Sequence, residues 1–199
     1  SGKLTLGLVV ALWSASAGVD AVRAALNSVY QLRERRNWFL MKAQSLALTL
    51  VVTILAGIGL AIVFYGWQLV QAATDWIGMP ITSPIVLIAI QWTSILAVML
   101  FACEVIYNFL PDFRKFKWIW ITAGSLVAIV LWLLLTGGFR LYLSFFNNYD
   151  KTYGSLGAVI ILLLWLYLTA LVLMVGGAIN AVLHDLRNEV EDTSEIILE

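Results

Sequence analysis

The sequence predicts an all-α, polytopic membrane protein with five transmembrane spans, and three observations carry that prediction. The chain is 62% hydrophobic and 12% charged with a mean hydropathy of +0.93, whereas soluble domains are roughly half apolar and a quarter charged. Its apolar residues gather into runs long enough to cross hydrocarbon. The last run, Leu156 to Leu183, holds no charged side chain and as a helix measures about 40 Å, against a hydrocarbon core of about 30 Å. Twelve basic residues balance twelve acidic ones, so no net charge draws the chain to nucleic acid, and the information lies in where the charges sit. A single Cys103 excludes an internal disulfide and a cysteine metal cluster. The chain opens at Ser1 with neither an initiator Met nor a cleavable-signal pattern, so a preceding segment is expected.

The first run, Leu4 to Val19, carries Gly7, Ala11 and Ala15 at four-residue spacing, a stripe that lets helices approach closely in lipid. Beyond Asp20, Val22, Leu26 and Val29 alternate at helical spacing with Arg23, Asn27 and Tyr30, so the span is expected to continue as an interfacial or partly buried helix. It ends in Arg33-Glu34-Arg35-Arg36. Ala43 to Tyr65 forms the second span, and 66–83, with Asp75, Gly78 and Pro80, reads as its closing loop. The third begins at Pro84, a residue suited to the first helical turn, and is stopped by Pro111; it carries one acid, Glu104. After the basic loop of Arg114, Lys115 and Lys117, the fourth runs from Trp118 to about Phe139. Residues 1–184 then form one transmembrane domain. Residues 185–199, six carboxylates against Arg187 alone, form a solvated acidic tail, either irregular or a fraying helix.

Five alternating spans put Arg33, Arg35, Arg36, Lys42, the Arg114–Lys117 loop and the tail on one side, leaving Lys3, Arg140 and Lys151 as the only bases opposite. The positive-inside rule makes the basic side cytoplasmic and places the C-terminus there.

Several segments carry a resemblance. Leu12-Trp13-Ser14-Ala15-Ser16, Ala25-Leu26-Asn27 with Tyr30, Tyr107 to Pro111, Trp132, and above all Tyr149 through Gly157 with Trp165-Leu166-Tyr167 resemble the YihY/BrkB family. These are polytopic bacterial inner-membrane proteins. The resemblance implies about six spans in the full-length protein, one of them upstream. Members have carried a ribonuclease BN label and a serum-resistance or virulence label, and transport of a lipid or solute has been proposed for them. Two departures stand out: Gly176-Gly177-Ala178 replaces the family's Gly-Ala-Glu, and Ala123 stands where Pro precedes the small residues of the fourth span.

Depth selects the candidate site. Asp20, Arg23, Asn27, Glu104, Asn108 and Asn180 fall toward the cytoplasmic ends of the first, third and last spans, level with Gln44, Thr49, Thr122 and Ser125. Glu104 lies roughly 10 Å of helix before Pro111, where an unpaired charge costs about 2 to 3 kcal/mol. It therefore needs a partner, and Arg23 is the expected one. The bland outcome is a structural pair, or a carboxylate that snorkels to the headgroups. The sharper one is a single polar cavity open to the cytoplasm and closed outside near Tyr149, Asp150, Lys151, Tyr153 and Gly154, a stretch that otherwise reads as a compact re-entry turn, with Glu104→Gln altering transport of a lipid or other substrate. The alternative function is structural, an assembly partner held by small-residue seams. Expected partners are membrane lipids and a homo-oligomer or membrane complex, with no nucleic acid and no cofactor. Catalysis is not expected, because a nuclease needs paired carboxylates or a His and Lys constellation, and this chain has one His, His184, at a helix end.

Overall fold

The computed structural model describes residues 2–78, 83–113, 120–145 and 155–198, with the backbone alone for residues 77, 155 and 188–198. Among the described residues all regular structure is helical: α1 (Gly2–Val29), α2 (Trp38–Ile77), α3 (Pro84–Phe109), α4 (Ala123–Phe145) and α5 (Ser155–Leu198). Each contains a stretch long and apolar enough to cross a membrane.

The helices exceed the expected bounds wherever no residue stops them. Helix α1 passes through Gly18 to Val29 and closes in a Schellman motif. Leu32 N–H donates to the Asn27 carbonyl at 2.8 Å and Gln31 N–H to the Ser28 carbonyl at 3.2 Å, which forces Gln31 to φ 52°. Helix α2 absorbs the expected loop from Gly66 onward and ends only at Gly78, whose φ of 74° is the left-handed cap the turn requires. Helix α4 starts at Ala123 rather than Trp118, because the Thr122 hydroxyl caps it by accepting the Ser125 N–H at 3.2 Å. Gly137 and Gly138 lie inside it. Helix α5 crosses the boundary expected at residue 184 and carries the acidic segment as a continuous helix. The third span matches its prediction, with Pro84 in the first turn.

The helices pack as a ring, α1–α2–α3–α4–α5 and back to α1. Buried residues concentrate at the end bearing the α1–α2 and α3–α4 connections, here the loop end. There Leu26, Leu48, Val105, Tyr107 and Leu110 plug the ring. The Tyr107 hydroxyl crosses it to donate to the Leu173 carbonyl at 2.8 Å.

The two small-residue seams part company. Gly7, Ala11 and Ala15 are exposed, and a Cβ at Gly7 would meet nothing within 4 Å, so among the described residues that stripe packs on no neighbouring helix. Gly177 and Ala181 are buried, and Gly177 receives Leu26 of α1. The tightest contact is between α4 and α5, where a Cβ on Gly124 would overlap the Gly176 carbonyl and one on Gly176 would overlap the Tyr107 hydroxyl.

Candidate functional site at the loop end of the bundle

Three polar clusters occupy the loop end. In the first, the N-terminus of α4 meets α3 and α5. Glu104, only 1% exposed, accepts from Thr122 N–H at 2.7 Å and Thr122 O–H at 3.0 Å, while Asn108 Nδ2 donates to its other oxygen at 3.0 Å. Gly124 N–H donates to Asn180 Oδ1 at 2.7 Å, and Asn180 Nδ2 returns to Thr122 Oγ1 at 3.0 Å. The unpaired amides that open any helix thus find acceptors on two neighbours. The carboxylate sits at the positive end of the α4 dipole, which explains its burial beside neutral donors rather than a cation. Ala123 occupies the first helical position, which suits Pro but tolerates other residues, because the N–H there needs no intrahelical partner.

The second cluster ties the α1–α2 connection to the other end of the α3–α4 corner. Arg36 donates to the Leu110 carbonyl at 3.3 Å and the Pro111 carbonyl at 2.9 Å, and pairs with Asp112 at 3.1 Å. Gln44 accepts from Arg36 at 2.5 Å and donates to the Phe109 carbonyl. A cation and an amide therefore cap the carbonyl end of α3, the sign its dipole favours. Asn27 joins in, accepting Asp112 N–H at 3.0 Å and donating to Glu34 at 2.9 Å.

The third cluster borders open volume. Arg23, 4% exposed, pairs with Asp20 at 3.0 Å and donates to the Met41 carbonyl at 3.1 Å and to Ser45, whose hydroxyl donates to Asp20. Lys42 reaches the second Asp20 oxygen at 3.1 Å and lies over the Trp13 ring, 4.4 Å from its centroid. Arg23 Nε is buried without a hydrogen-bond partner. Beside them is a pocket of about 220 Å³, walled by Asp20, Arg23, Asn27, Glu34, Trp38 and Lys42.

The six candidate residues thus all lie at the loop end, in separate groups. Asp20, Arg23 and Asn27 border the pocket, whereas Glu104, Asn108 and Asn180 are sealed in the α3–α4–α5 junction. Arg23 is not the partner of Glu104. It faces α2, and its terminal nitrogens pair with an acid three residues before it on its own helix and with a serine on the neighbour. Tyr149, Asp150, Lys151, Tyr153 and Gly154 lie outside the described residues, as do Arg114, Lys115 and Lys117. Sequence reasoning missed Glu34, Lys42 and Ser45 as site residues, and it read Arg36 only as a topological charge. The spacing of Lys42 and Ser45, on one face at the start of α2, was the available signal.

Helices of this length, with their buried charges gathered at one end, define a multi-pass helical membrane protein with a polar pocket at the loop end. The chain belongs to the BrkB virulence factor family, whose model matches residues 1–195. It is 32% identical over 183 residues to the protein named ribonuclease-like YfkH of Bacillus subtilis, covering 92% of this chain and 66% of that one. It is 28% identical over 167 residues to the UPF0761 membrane protein IL2447 of Idiomarina loihiensis, covering 84% and 56%. A UPF0761 membrane protein of Pseudoalteromonas translucida is 27% identical over 179 residues, covering 89% and 56%. The chain spans between 56% and 66% of the length of these relatives. No solved structure matches it.

Proposed function

We infer that the chain is the core of a bacterial inner-membrane transporter or lipid-handling protein that takes a polar solute or a lipid headgroup into the loop-end pocket, which opens to the cytoplasm. One observation carries this reading. The Asp20–Arg23–Lys42 cluster lines a pocket of about 220 Å³, with Asp20 36% exposed at its side chain, instead of being sealed as Glu104 is. Ionisable residues in membrane helices are costly and mark substrate paths when they border a cavity. Two cations and two anions on one wall suit a ligand carrying both charges, and Trp38 offers an apolar face beside them. The concentration of bases at the loop end supports its cytoplasmic orientation.

Within this reading, Glu104, Asn108 and Asn180 act as positioning residues that hold α3, α4 and α5 together. RNA hydrolysis is not part of it: His184, the one imidazole of the chain, packs against the rings of Tyr30 and Phe113, with centroids 6.5 and 6.0 Å away. The structural alternative is favoured by the exposed Gly7, Ala11 and Ala15 stripe, a surface suited to a second helix.

The test is the full-length protein in proteoliposomes, read by dithionite bleaching of headgroup-labelled phospholipids and by efflux of entrapped zwitterionic solutes. Wild type should move at least one probe, and Arg23→Gln should slow it at least tenfold while the helical circular dichroism is retained. Wild type indistinguishable from empty vesicles for both probes overturns the reading in favour of assembly, as does Arg23→Gln moving a probe at the wild-type rate.

A further inference from the structure

A second concavity lies on the opposite flank of α2, between α2 and α3. It is a groove of about 630 Å³ walled by Ala47, Leu48, Val51, Phe101, Val105 and Trp120, with no polar surface. Gln44 stands at its end, and that amide is already engaged by Arg36 and the Phe109 carbonyl. Water entering such a groove finds no free partner, so in the membrane it is filled by something apolar.

Size and charge choose the occupant. A helix about 10 Å across takes roughly 120 Å³ per residue, so the groove holds about five residues, little more than one turn. Taking each methylene as about the 30 Å³ share of a water molecule, the same space holds about twenty, one full acyl chain. The headgroup of a lipid seated there would lie at the loop end. Arg36 at that end is consumed by carbonyls and Asp112, but Arg33 and Arg35 are exposed beside it, and the Arg35 backbone is fixed to Asp112 at 2.9 Å. Exposed guanidinium groups at the membrane surface attract phosphate-bearing anionic headgroups.

We propose that the α2–α3 groove is a seat for one anionic phospholipid, its acyl chain along Ala47, Val51 and Phe101 and its headgroup at Arg33 and Arg35. The seat shares no residue with the pocket of Asp20 and Arg23, so the inference does not depend on the proposed function.

Trp120 at the rim is 75% exposed and supplies the probe. The full-length protein is reconstituted in vesicles containing phosphatidylglycerol or phosphatidylcholine brominated in the acyl chain. The Trp120 contribution is the difference in fluorescence from the Trp120→Phe variant. Brominated phosphatidylglycerol should quench it at about fivefold lower mole fraction than brominated phosphatidylcholine. The double variant Arg33→Gln, Arg35→Gln should erase that preference. Ala47→Phe, or Val51→Phe from the same wall should the first not fold, should remove the quenching. The result should be unchanged in an Arg23→Gln background, which separates it from the transport reading. Equal quenching by both headgroups, quenching that survives both filling variants, or protection of Trp120 that grows with protein-to-lipid ratio overturns the proposal, the last in favour of a second copy on this face.

Discussion

Replacing Glu104 separates a helix-end clamp from a substrate group. Glu104→Ala leaves three donors without their acceptor: the Thr122 N–H, the Thr122 O–H and one Asn108 Nδ2–H. The two bonds to Thr122 join α3 to the start of α4 and are worth about 0.6 kcal/mol each, the Asn108 bond within α3 about 1, and an anion at a helix N-terminus about 1 more, so the expected loss is about 3 kcal/mol. Glu104→Gln keeps an oxygen for Thr122 but loses the charge and turns an amide donor toward Asn108, a loss of about 1.5 kcal/mol. In thermal unfolding of the full-length protein in detergent, the alanine variant should melt about 10 °C lower and the glutamine variant about 5 °C lower, at some 3 °C per kcal/mol. An alanine variant within 0.5 kcal/mol of wild type, on the order of a neutral surface change, refutes the clamp. So does a glutamine variant with wild-type melting and lost substrate movement, which would put Glu104 in a transport path.

Other expectations follow from local geometry. Gly124→Ala should unfold the α4–α5 crossing, since its Cβ overlaps the Gly176 carbonyl, whereas Gly7→Ala should melt at or slightly above wild type; the same thermal scan reads both. Gln31→Gly should raise stability by about 1 kcal/mol by relieving a side chain held at φ 52°, and a loss of stability would mean the Gln31 side chain contributes more than its backbone strain. In a Cys103→Ser background, a cysteine at Arg33 or Lys115 should react with an impermeant maleimide only from the cytoplasmic face. Labelling from the periplasmic face alone would invert the orientation.

The fold class was legible because it rests on quantities that need no partner: run length, hydropathy and the absence of charge. The bounds of α3 were legible for the same reason, since Pro84 and Pro111 act on their own backbone. The length of α2 was not, because Gly66 looks like a breaker in sequence. In the fold it is a contact, where Gln91 lies over the helix and donates to the Ile62 and Val63 carbonyls at 3.0 and 3.1 Å. The depth of the polar residues was readable, but their pairing was not. Arg23 and Glu104 share a level, yet α2 stands beside α1 and α4 beside α3, and ring order is set by helix packing that periodicity does not encode. The stripe of Gly7, Ala11 and Ala15 shows the converse, since small residues permit close approach without specifying a neighbour.

Helix ends explain why the polar groups separate as they do. The α3–α4 corner leaves carbonyls exposed at the end of α3 and amides at the start of α4, both inside a membrane protein where such groups need partners. The chain answers the first with Arg36 and Gln44, and the second with Glu104, Asn180 and Thr122, each carrying the sign or lone pair that the helix end lacks. These residues are therefore accounted for by backbone chemistry alone. The Asp20, Arg23 and Lys42 cluster caps no comparable corner: apart from one Arg23 bond to the Met41 carbonyl, its charges pair with one another and with Ser45, and Arg23 Nε is left without a partner. An apolar replacement of all three would leave the corner closed, since no end of α3 or α4 relies on them. Their residual role is the pocket they wall, which is why the functional reading rests on Arg23 and not on the more deeply sealed Glu104.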